Sequence, residues 1–366
     1  MDGQVLGQRF VATSGGTTPS SRHAILSVFS AFAITFVLVY SLSQASWTDF
    51  GAEPVVGTKS SGQIGPSEDS ALYDDQCLLR ISDGNWEIST DGCPAPSRGV
   101  LSHCDNSTGL PRRWASRAPA DCLPSSLVQA DVAAMFKDKK VAFVGDSHLR
   151  KLYNFMIEFL SDDQITVAPA SDKKEHKDFA TTVEPTGTRL EFYWRAEIRS
   201  TAAVINEFLD LDGGGGGGSG GGGNKDTSER RLPDLIVCDA SAHQAKWARD
   251  YDAFVGELPT LVEAVMNYHE RFPRSPIVWM ISPPFREVYD PSNPETQYFY
   301  SLRKFNDALW DAGLFAPKGP VVPIDMYRIA EGCVDYCYRD NTHVLPSVNV
   351  LLFQMITGAY RRYVSD

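Results

Sequence analysis

The chain has 366 residues, which is too long for one small domain and suits one large domain with attachments. Hydrophobic residues make up 43% of it, so a sizeable core is available and a largely disordered chain is excluded. The formal net charge of −12 excludes a general nucleic-acid binder, because phosphate backbones need clustered Lys and Arg. An anionic substrate would therefore need a local basic pocket.

An uncharged apolar run at residues 24–42 follows a polar tail of residues 1–23 and has the length that a bilayer crossing needs. Basic residues precede the run and acidic residues follow it, which favours a cytoplasmic tail and a lumenal body. We therefore predict a transmembrane signal anchor over residues 24–43 and a single-pass type II membrane protein. The alternative is a cleaved signal peptide, because Ser43-Gln44-Ala45 is an acceptable cleavage site, and the protein would then be secreted.

Residues 44–74 are rich in Ser, Gly and Pro and are predicted to form a stem. The loop-rich stretch of residues 75–130 then carries four of the seven cysteines. Clustered cysteines predict disulfides in an oxidising compartment, and zinc is the weaker alternative because no pair has Cys-x-x-Cys spacing. The disulfide candidates, whose pairing the sequence leaves open, are Cys77, Cys93, Cys104, Cys122, Cys333 and Cys337.

The sequence also predicts a glycosylation site and a free thiol. The sequon Asn106-Ser107-Thr108 lies in a loop flanked by Gly and Pro and predicts an N-glycosylation site at Asn106. Cys238 stands alone in an apolar run, so we predict a buried free thiol that packs as a small hydrophobic side chain.

Short apolar runs alternate with amphipathic stretches throughout the body, residues 131–366. Strands are predicted at residues 141–144, 235–238, 277–281 and 321–324, and helices at residues 149–160, 254–271, 298–314 and 348–363. This alternation predicts an α/β fold, a three-layer sandwich with a central parallel sheet. A glycine-rich segment, residues 212–231, is predicted to be a flexible loop, and a phosphate-binding role is disfavoured because no Lys-Ser or Lys-Thr follows it.

The strongest local signal is Gly145-Asp146-Ser147, which joins the apolar run at residues 141–144 to an amphipathic helix. A Ser in this position lies at the carboxyl edge of the sheet, beside the N–H groups of a helix N-terminus. Those N–H groups can stabilise an oxyanion, so Ser147 is a candidate nucleophile. The alternative is that Ser147 only caps the helix, which Ser does well.

A second signal, Asp340-Asn341-Thr342-His343, supports the nucleophile interpretation. An Asp and a His three residues apart on one loop can hydrogen-bond, so Asp340 can fix the tautomer of His343. The second ring nitrogen of His343 is then available to accept a proton from Ser147. We predict Ser147, Asp340 and His343 as the catalytic residues.

The Gly-Asp-Ser and Asp-x-x-His motifs resemble those of the SGNH/GDSL hydrolase superfamily. Residues 75–366 are most similar to its PC-esterase branch, which includes trichome-birefringence-like polysaccharide O-acetyltransferases and the acetylating domain of sialic-acid and capsule O-acetyltransferases. Further motifs that carry this resemblance are Asp83-Gly84-Asn85-Trp86 and Trp114 with the cysteines around them. The resemblance implies an SGNH-hydrolase-like sandwich and acetyl transfer through an acyl-serine intermediate, with no bound cofactor and no metal.

The resemblance also implies oxyanion donors beyond the Ser147 N–H. The superfamily often supplies an Asn after the third strand, but the sequence here has none, so Ser241 and His243 are the open alternatives.

Arg150 is a candidate for binding an anionic substrate, although a structural role is the alternative. We expect His148 to be solvent-exposed and His176 to lie on a solvated charged face, while Trp194, Trp247 and Trp279 belong to the core or stack on sugars.

These observations predict an O-acetyltransferase that acts on a glycan or cell-wall polysaccharide in the Golgi lumen, since a short-stemmed single-pass anchor is typical of Golgi biosynthetic enzymes. The acetyl donor, acetyl-CoA or an acetylated intermediate, is a co-substrate, and a separate transporter would have to supply it. The alternatives are an acetylesterase with the same catalytic residues and a catalytically dead carbohydrate-binding protein. Nucleic acid is not an expected partner.

Overall fold

A central sheet and the helices around it are seen in a computed structural model of the chain. The structure describes residues 76–104, 109–161, 164–166, 176–212, 231–248, 250–286, 298–315, 320–333 and 336–365. The predicted tail, anchor and stem lie outside the described residues, as do Asn106 and residues 213–230 of the glycine-rich segment. Among the described residues, no helix combines the length and the apolar character that a membrane crossing requires.

The strands fall into a small N-terminal group and a central sheet. The first group comprises β1 (Gly84–Ile88), β2 (Val100–Leu101), β3 (Arg112–Ser116) and β4 (Leu127–Val128). The central sheet comprises β5 (Lys140–Gly145), β6 (Phe179–Val183), β7 (Thr188–Trp194), β8 (Leu235–Cys238), β9 (Ile277–Ile281) and β10 (Val321–Asp325).

The helices follow the predicted alternation. They are α1 (Gln76–Arg80), α2 (Gln129–Phe136), α3 (Ser147–Ser161), α4 (Ile198–Asp212), α5 (Tyr251–Arg271), α6 (Tyr298–Asp311), α7 (Met326–Glu331) and α8 (Pro346–Ser365). A π-helical turn, Gln244–Ala248, precedes α5. Each helix and strand predicted from the sequence is present.

The central sheet has the strand order β10-β9-β8-β5-β7-β6. The prediction of a parallel sheet is wrong at one edge, because β6 pairs antiparallel with β7 and the sheet is therefore mixed. Residues 184–187 join the two strands, and Gly187 adopts a φ of +67° in this turn. A turn this short can join only antiparallel neighbours, since a parallel pair needs a long crossover.

Alternate residues of each central strand face opposite sides of the sheet. Val141 and Phe143 of β5 belong to a core cluster that includes α3 and α8, whereas Ala142 and Val144 belong to a cluster that includes α4, α5 and α6. Both faces are therefore covered, which explains why the central strands are continuous apolar runs. The result is an α/β fold with helices on both sides of a mixed sheet.

The cysteine predictions are confirmed within the described residues. The disulfides are Cys77–Cys122, Cys93–Cys104 and Cys333–Cys337. Cys238 is a free, fully buried thiol, as the sequence predicted. The first disulfide ties α1 to the segment that precedes β4, and the third lies just before the loop that carries Asp340 and His343.

Candidate active site

The turn between β5 and α3 lies at the centre of the sheet, where β7 flanks β5 on one side and β8 on the other. Ligands of open α/β sheets bind at such positions, at the carboxyl ends of the strands. The Asp146 carboxylate accepts a hydrogen bond from the His148 N–H (2.8 Å), and the Asp146 carbonyl accepts from the Arg150 N–H (3.0 Å). Asp146 is therefore the N-cap of α3, and Ser147 is not needed for capping.

Gly145 allows the end of β8 to approach this turn closely. A Cβ atom at Gly145 would lie 1.9 Å from Asp239 Oδ1, so no other residue fits there without displacing Asp239. The same Asp239 oxygen accepts a hydrogen bond from the Asp146 N–H at 2.9 Å. The ends of β5 and β8 are thus joined directly beneath Ser147.

The loop that carries Asp340 and His343 is held at its base by several contacts. Tyr338 and Val344 form a β-bridge, and the Cys333–Cys337 disulfide precedes it. The Tyr338 hydroxyl donates to the Pro284 carbonyl, which links the loop to the segment after β9. This closed loop brings His343 back over the nucleophile turn.

The structure brings Ser147, His343 and Asp340 together in a hydrogen-bonded chain. His343 Nε2 lies 2.9 Å from Ser147 Oγ, and His343 Nδ1 lies 2.9 Å from Asp340 Oδ2. Asp340 Oδ1 also accepts from the backbone N–H groups of Thr342 (2.8 Å) and His343 (2.7 Å). The Asp340 carboxylate is therefore oriented by the loop itself, and it holds the Nδ1–H tautomer of His343.

The electrostatics of the site suit a neutral His343 beside an ionised Asp340. Burial opposes ionisation of Asp340, but hydrogen bonds from the His343 and Thr342 backbone outweigh it and lower its pKa to about 2. Burial, followed by the positive charge of His148, lowers the pKa of His343 to about 4. At neutral pH the Nε2 atom of His343 can therefore accept a proton from Ser147.

A cavity of about 180 Å³ opens next to Ser147. Its lining combines aromatic and polar side chains, and includes Trp194, His176, His243, Lys246, Phe285 and Thr342 besides the triad's Ser147 and His343. Lys246 and Phe285 were not singled out from the sequence, because each comes from a segment without a motif. Three larger cavities lie elsewhere among the described residues, and none of these three is lined by Ser147, Asp340 or His343.

The three candidate oxyanion donors lie in different environments. Ser147 is the first residue of α3, where helix N–H groups have no partner within the helix. His243 is half-buried and lines the cavity, whereas Ser241 is fully buried and its hydroxyl donates to Asn306 Oδ1 (2.6 Å) and lies 2.8 Å from Ser282 Oγ. The Ser241 side chain is thus committed to the core, so we set it aside as an oxyanion donor.

The side chains of His148 and Arg150 are both buried. His148 was expected to be exposed, but its side chain is buried because Asp146 and the Thr342 carbonyl bind both ring nitrogens. Arg150 is buried as well, with its guanidinium 5.4 Å from the Trp194 ring centroid, and it does not line the cavity. The structural alternative for Arg150 is therefore the one that the packing favours.

The predicted aromatic residues lie in different environments. Trp279 is fully buried, while Trp194 lines the cavity and stacks on the exposed His176 ring at 4.1 Å between centroids. The Trp247 side chain lies outside what the structure describes. Trp194 and His176 thus stack on one another in the lining of the cavity that contains Ser147.

Two groups of metal-ligating side chains are close together in the described part of the chain. In Cys77, Asp121 and Cys122 the two sulfurs are joined as a disulfide. In the second group, which consists of Asp146, His148 and the buried Asp239, His148 Nδ1 and Asp146 Oδ1 already bond one another at 3.0 Å. Neither group therefore offers a full set of available ligand atoms.

Comparison with known proteins gives weak similarities only. No protein-family model and no curated protein matches the sequence. A GDSL-like lipase of Bacteroides thetaiotaomicron is 12% identical, with 64% of this chain and 95% of that chain covered at a TM-score of 0.37. An acetylxylan esterase of Geobacillus stearothermophilus is 12% identical (63% and 96% covered, TM-score 0.33). A carbohydrate esterase family 3 protein of Talaromyces cellulolyticus is also 12% identical (62% and 99% covered, TM-score 0.37).

Proposed function

We propose that the protein is a serine-dependent acyl-transfer enzyme of the SGNH/GDSL type. The observation that carries the proposal is the hydrogen-bonded chain from Ser147 Oγ through His343 to Asp340, with 2.9 Å at each step. Within this class we propose an O-acetyltransferase of the PC-esterase branch that acetylates hydroxyl groups of a glycan or polysaccharide. An acetylesterase is the second candidate, because it would use the same residues.

In the first half-reaction, Ser147 Oγ attacks the acetyl carbonyl carbon of the donor while His343 Nε2 takes the hydroxyl proton. The positive end of α3, including the Ser147 N–H, stabilises the oxyanion that forms. The bond to the leaving group then breaks, and His343 returns the proton to that group. Acetyl-Ser147 remains, with His343 neutral again.

In the second half-reaction, a sugar hydroxyl occupies the space that the leaving group vacated. His343 Nε2 removes the hydroxyl proton, and the sugar oxygen attacks the acetyl carbon. The bond to Ser147 Oγ breaks, and the proton passes from His343 to Ser147. If water enters in place of the sugar, the same steps hydrolyse the donor, so access of the acceptor alone separates transferase from esterase.

The cavity supports a small acyl group and a sugar acceptor. Its volume of about 180 Å³ favours an acetyl group over a long acyl chain. The exposed His176 ring, which stacks on Trp194, offers an aromatic surface to a sugar ring. Lys246 and His243 supply hydrogen-bond donors to the same cavity.

The compartment and the donor are further parts of the proposal. The disulfides fit an oxidising compartment, and the apolar run at residues 24–42 fits a single-pass anchor, so we place the catalytic domain in the Golgi lumen. Acetyl-CoA or an acetylated intermediate would serve as donor, delivered by a separate transporter.

Intact-mass spectrometry after incubation with p-nitrophenyl acetate tests the nucleophile. We expect the wild-type protein to gain one acetyl group on Ser147, and the Ser147→Ala variant to gain none. A His343→Ala variant and a rapid acid quench are included, because turnover could deplete the intermediate. Ser200→Ala is the matched control, since Ser200 lies on the first turn of another helix, α4, and its hydroxyl donates to the Glu197 carbonyl.

Absence of an adduct in folded wild-type protein under every condition would favour the carbohydrate-binding alternative. If the adduct forms, adding oligosaccharides with free hydroxyls separates the two enzymatic candidates. Acetylated sugar is the result expected of a transferase. Acetate release that no oligosaccharide diverts would identify the esterase.

A further inference from the structure

The residue next to the nucleophile is buried between the two halves of the active site. His148 is 3% exposed and lies on the first turn of α3. Its Nδ1 atom is 3.0 Å from Asp146 Oδ1, and its Nε2 atom is 3.1 Å from the Thr342 carbonyl oxygen. His148 therefore connects the nucleophile turn to the loop that carries Asp340 and His343.

These two contacts determine the protonation of His148. A carbonyl oxygen can only accept, so Nε2 must carry a hydrogen. Asp146 Oδ1 also accepts from the His148 backbone N–H at 2.8 Å, so it is an acceptor for Nδ1 as well. With both ring nitrogens protonated, His148 is an imidazolium that is paired with the Asp146 carboxylate.

The other ionisable groups around His148 agree with this assignment. Burial opposes the charged form, but the Asp146 charge and the hydrogen bonds to Asp146 and Thr342 outweigh it and raise the pKa of His148. Burial and the Asp146 charge raise the pKa of Asp239, so Asp239 is the neutral carboxyl of the adjacent pair. The remaining titratable groups that face this part of the site are Arg150, Lys151, His176, His243, Lys246, Asp340 and His343.

We propose that His148 is a positioning residue: its imidazolium pins the Thr342 carbonyl to the nucleophile turn, and its charge keeps His343 unprotonated in acidic solution. The proposal rests on the proposed function, in which His343 is the base. The His343 N–H belongs to the same peptide group as the Thr342 carbonyl and donates to Asp340 Oδ1 at 2.7 Å, so the pinned peptide also orients the carboxylate that holds His343.

The distance between the two rings makes the charge effective. The ring centroids of His148 and His343 are 5.5 Å apart, which is within the range where a like charge shifts a pKa by one or more units. A second proton on His343 would place two cations side by side in a largely buried site. Burial and, after it, the positive charge of His148 lower the pKa of His343 to about 4, so the base stays neutral until the pH falls to that value.

Two substitutions separate the pinning from the charge. In His148→Gln, the side-chain amide can still donate to the Thr342 carbonyl, but the charge is gone. We expect the acid limb of the pH–rate profile for p-nitrophenyl acetate to move up by about one to two pH units, with the plateau at pH 8 changed by only a few-fold. In His148→Ala both roles are lost, so the plateau should also fall by roughly ten- to a hundred-fold.

Lys151→Gln is the matched control, because it removes a positive charge one turn further along α3 that also acts on His343, but only as its weakest influence. Its acid limb should move much less than that of His148→Gln. An unshifted limb in His148→Gln, or equal shifts in the two variants, would overturn the role of the charge. An unchanged plateau in His148→Ala would overturn the pinning.

Histidine NMR on the unaltered protein keeps the test independent of activity and of variant folding. The chain has seven histidines, so selective ¹⁵N labelling gives a tractable spectrum. We expect one buried imidazole with both nitrogens protonated at pH 8, and a second, His343, that titrates near pH 4. A neutral His148 at pH 8 would overturn the proposal, whereas failure of Ser147 to take an acetyl group would overturn only the proposed function.

Discussion

Asp146 accepts hydrogen bonds from both the backbone and the ring of His148, so one carboxylate caps α3 and stabilises a neighbouring imidazolium. Because Asp146 is the cap, the Ser147 hydroxyl is available to His343. Asp340 likewise accepts hydrogen bonds from both backbone and side chain in its own loop, from the Thr342 N–H and from the ring of His343. At the scale of single residues, the two acids set the geometry, and His343 is placed for the proton transfer that we propose.

Replacing Asp340 with Asn should abolish most of the activity while leaving the fold intact. The Asn carbonyl oxygen can still accept from the loop N–H groups, but its amide can donate to His343 Nδ1 and thereby favour the wrong tautomer. We expect kcat for acetyl-ester turnover to fall by roughly 10³- to 10⁴-fold with little change in KM. Steady-state kinetics at pH 8 measure the loss, and a residual rate within ten-fold of wild type would contradict it.

Gly145→Ala should destabilise the protein by about 1–3 kcal/mol, because the new Cβ would lie 1.9 Å from Asp239 Oδ1 in a packed interior. Denaturant unfolding gives the free energy. Gly256→Ala is the matched control: Gly256 lies in α5, and the added methyl group would have no atom within 4 Å, so this change should stabilise by about 0.5–1 kcal/mol. Equal effects at the two glycines would show that crowding at Gly145 is not the cause.

The grouping of Ser147, Asp340 and His343 could be predicted from the sequence because the proposed chemistry needs few residue types in recognisable local patterns. Ser147 follows an apolar strand, and Asp340 and His343 are only three residues apart. The burial of His148 could not be predicted in the same way. It depends on the Thr342 carbonyl, which lies 194 residues further along the chain and carries no side-chain signal.

The loop of residues 337–345 is the element on which the site depends most. Its two strands of backbone meet at the Tyr338–Val344 bridge, and the Leu345 N–H donates to the Cys337 carbonyl at 2.7 Å. The Arg286 N–H donates to the Asn341 carbonyl at 2.9 Å, which ties the tip of the loop to the segment after β9. His343 is thus held by backbone contacts on both sides.

Removing the Cys333–Cys337 disulfide by a Cys333→Ser, Cys337→Ser double substitution should reduce activity more than stability. The bond closes a very short loop, so the chain-entropy model gives about 2 kcal/mol, whereas a small displacement of His343 would lower the rate by roughly ten-fold or more. The Cys93→Ser, Cys104→Ser variant is the control. Its bond closes a longer loop away from the triad, so it should lose about 3 kcal/mol and keep its activity.

Thermal unfolding and acetyl-ester turnover, measured on both double variants, check this prediction. The two melting temperatures should fall by a similar few degrees. If the Cys333→Ser, Cys337→Ser protein retained wild-type turnover, the disulfide would have no part in positioning His343.

The strands that could be predicted from the sequence are those with mostly buried apolar side chains. The strands β5, β8, β9 and β10 are covered on both faces and therefore stand out as apolar runs. β7 was missed because Arg189 and Glu191 interrupt its apolar residues. Glu191 is nevertheless buried, and it pairs with Lys140 Nζ of the adjacent strand at 3.0 Å. A partner on another strand, which the local sequence does not reveal, is what allows a charged residue in this position.

At the scale of the whole molecule, the N-terminal strands share a core with the central sheet. Leu78, Leu101 and Trp114 belong to the same buried cluster as α3 and α8. The Trp86 indole N–H also donates to the Ile329 carbonyl of α7 at 2.9 Å. The cysteine-rich stretch is therefore packed into the same core as the central sheet.

A fragment of residues 131–366 should consequently fail to fold, whereas residues 76–366 should fold. Removing the N-terminal stretch exposes the shared apolar cluster and also eliminates the Cys77–Cys122 bond, which contributes about 4 kcal/mol in the chain-entropy model. Near-UV circular dichroism and binding of a hydrophobic dye compare the two fragments. A shorter fragment with native near-UV signal and no dye binding would contradict the shared core.

The distance along the chain between Ser147 and His343, 196 residues, has a consequence for how the protein matures. Contacts of such long range are costly in loop entropy and tend to form late in folding. A chain that has built its sheet and helices but has not yet seated the loop of residues 337–345 would have nearly all of its secondary structure and no base beside Ser147. Catalytic turnover, rather than helix content, is therefore the measure that distinguishes a mature molecule from an almost finished one.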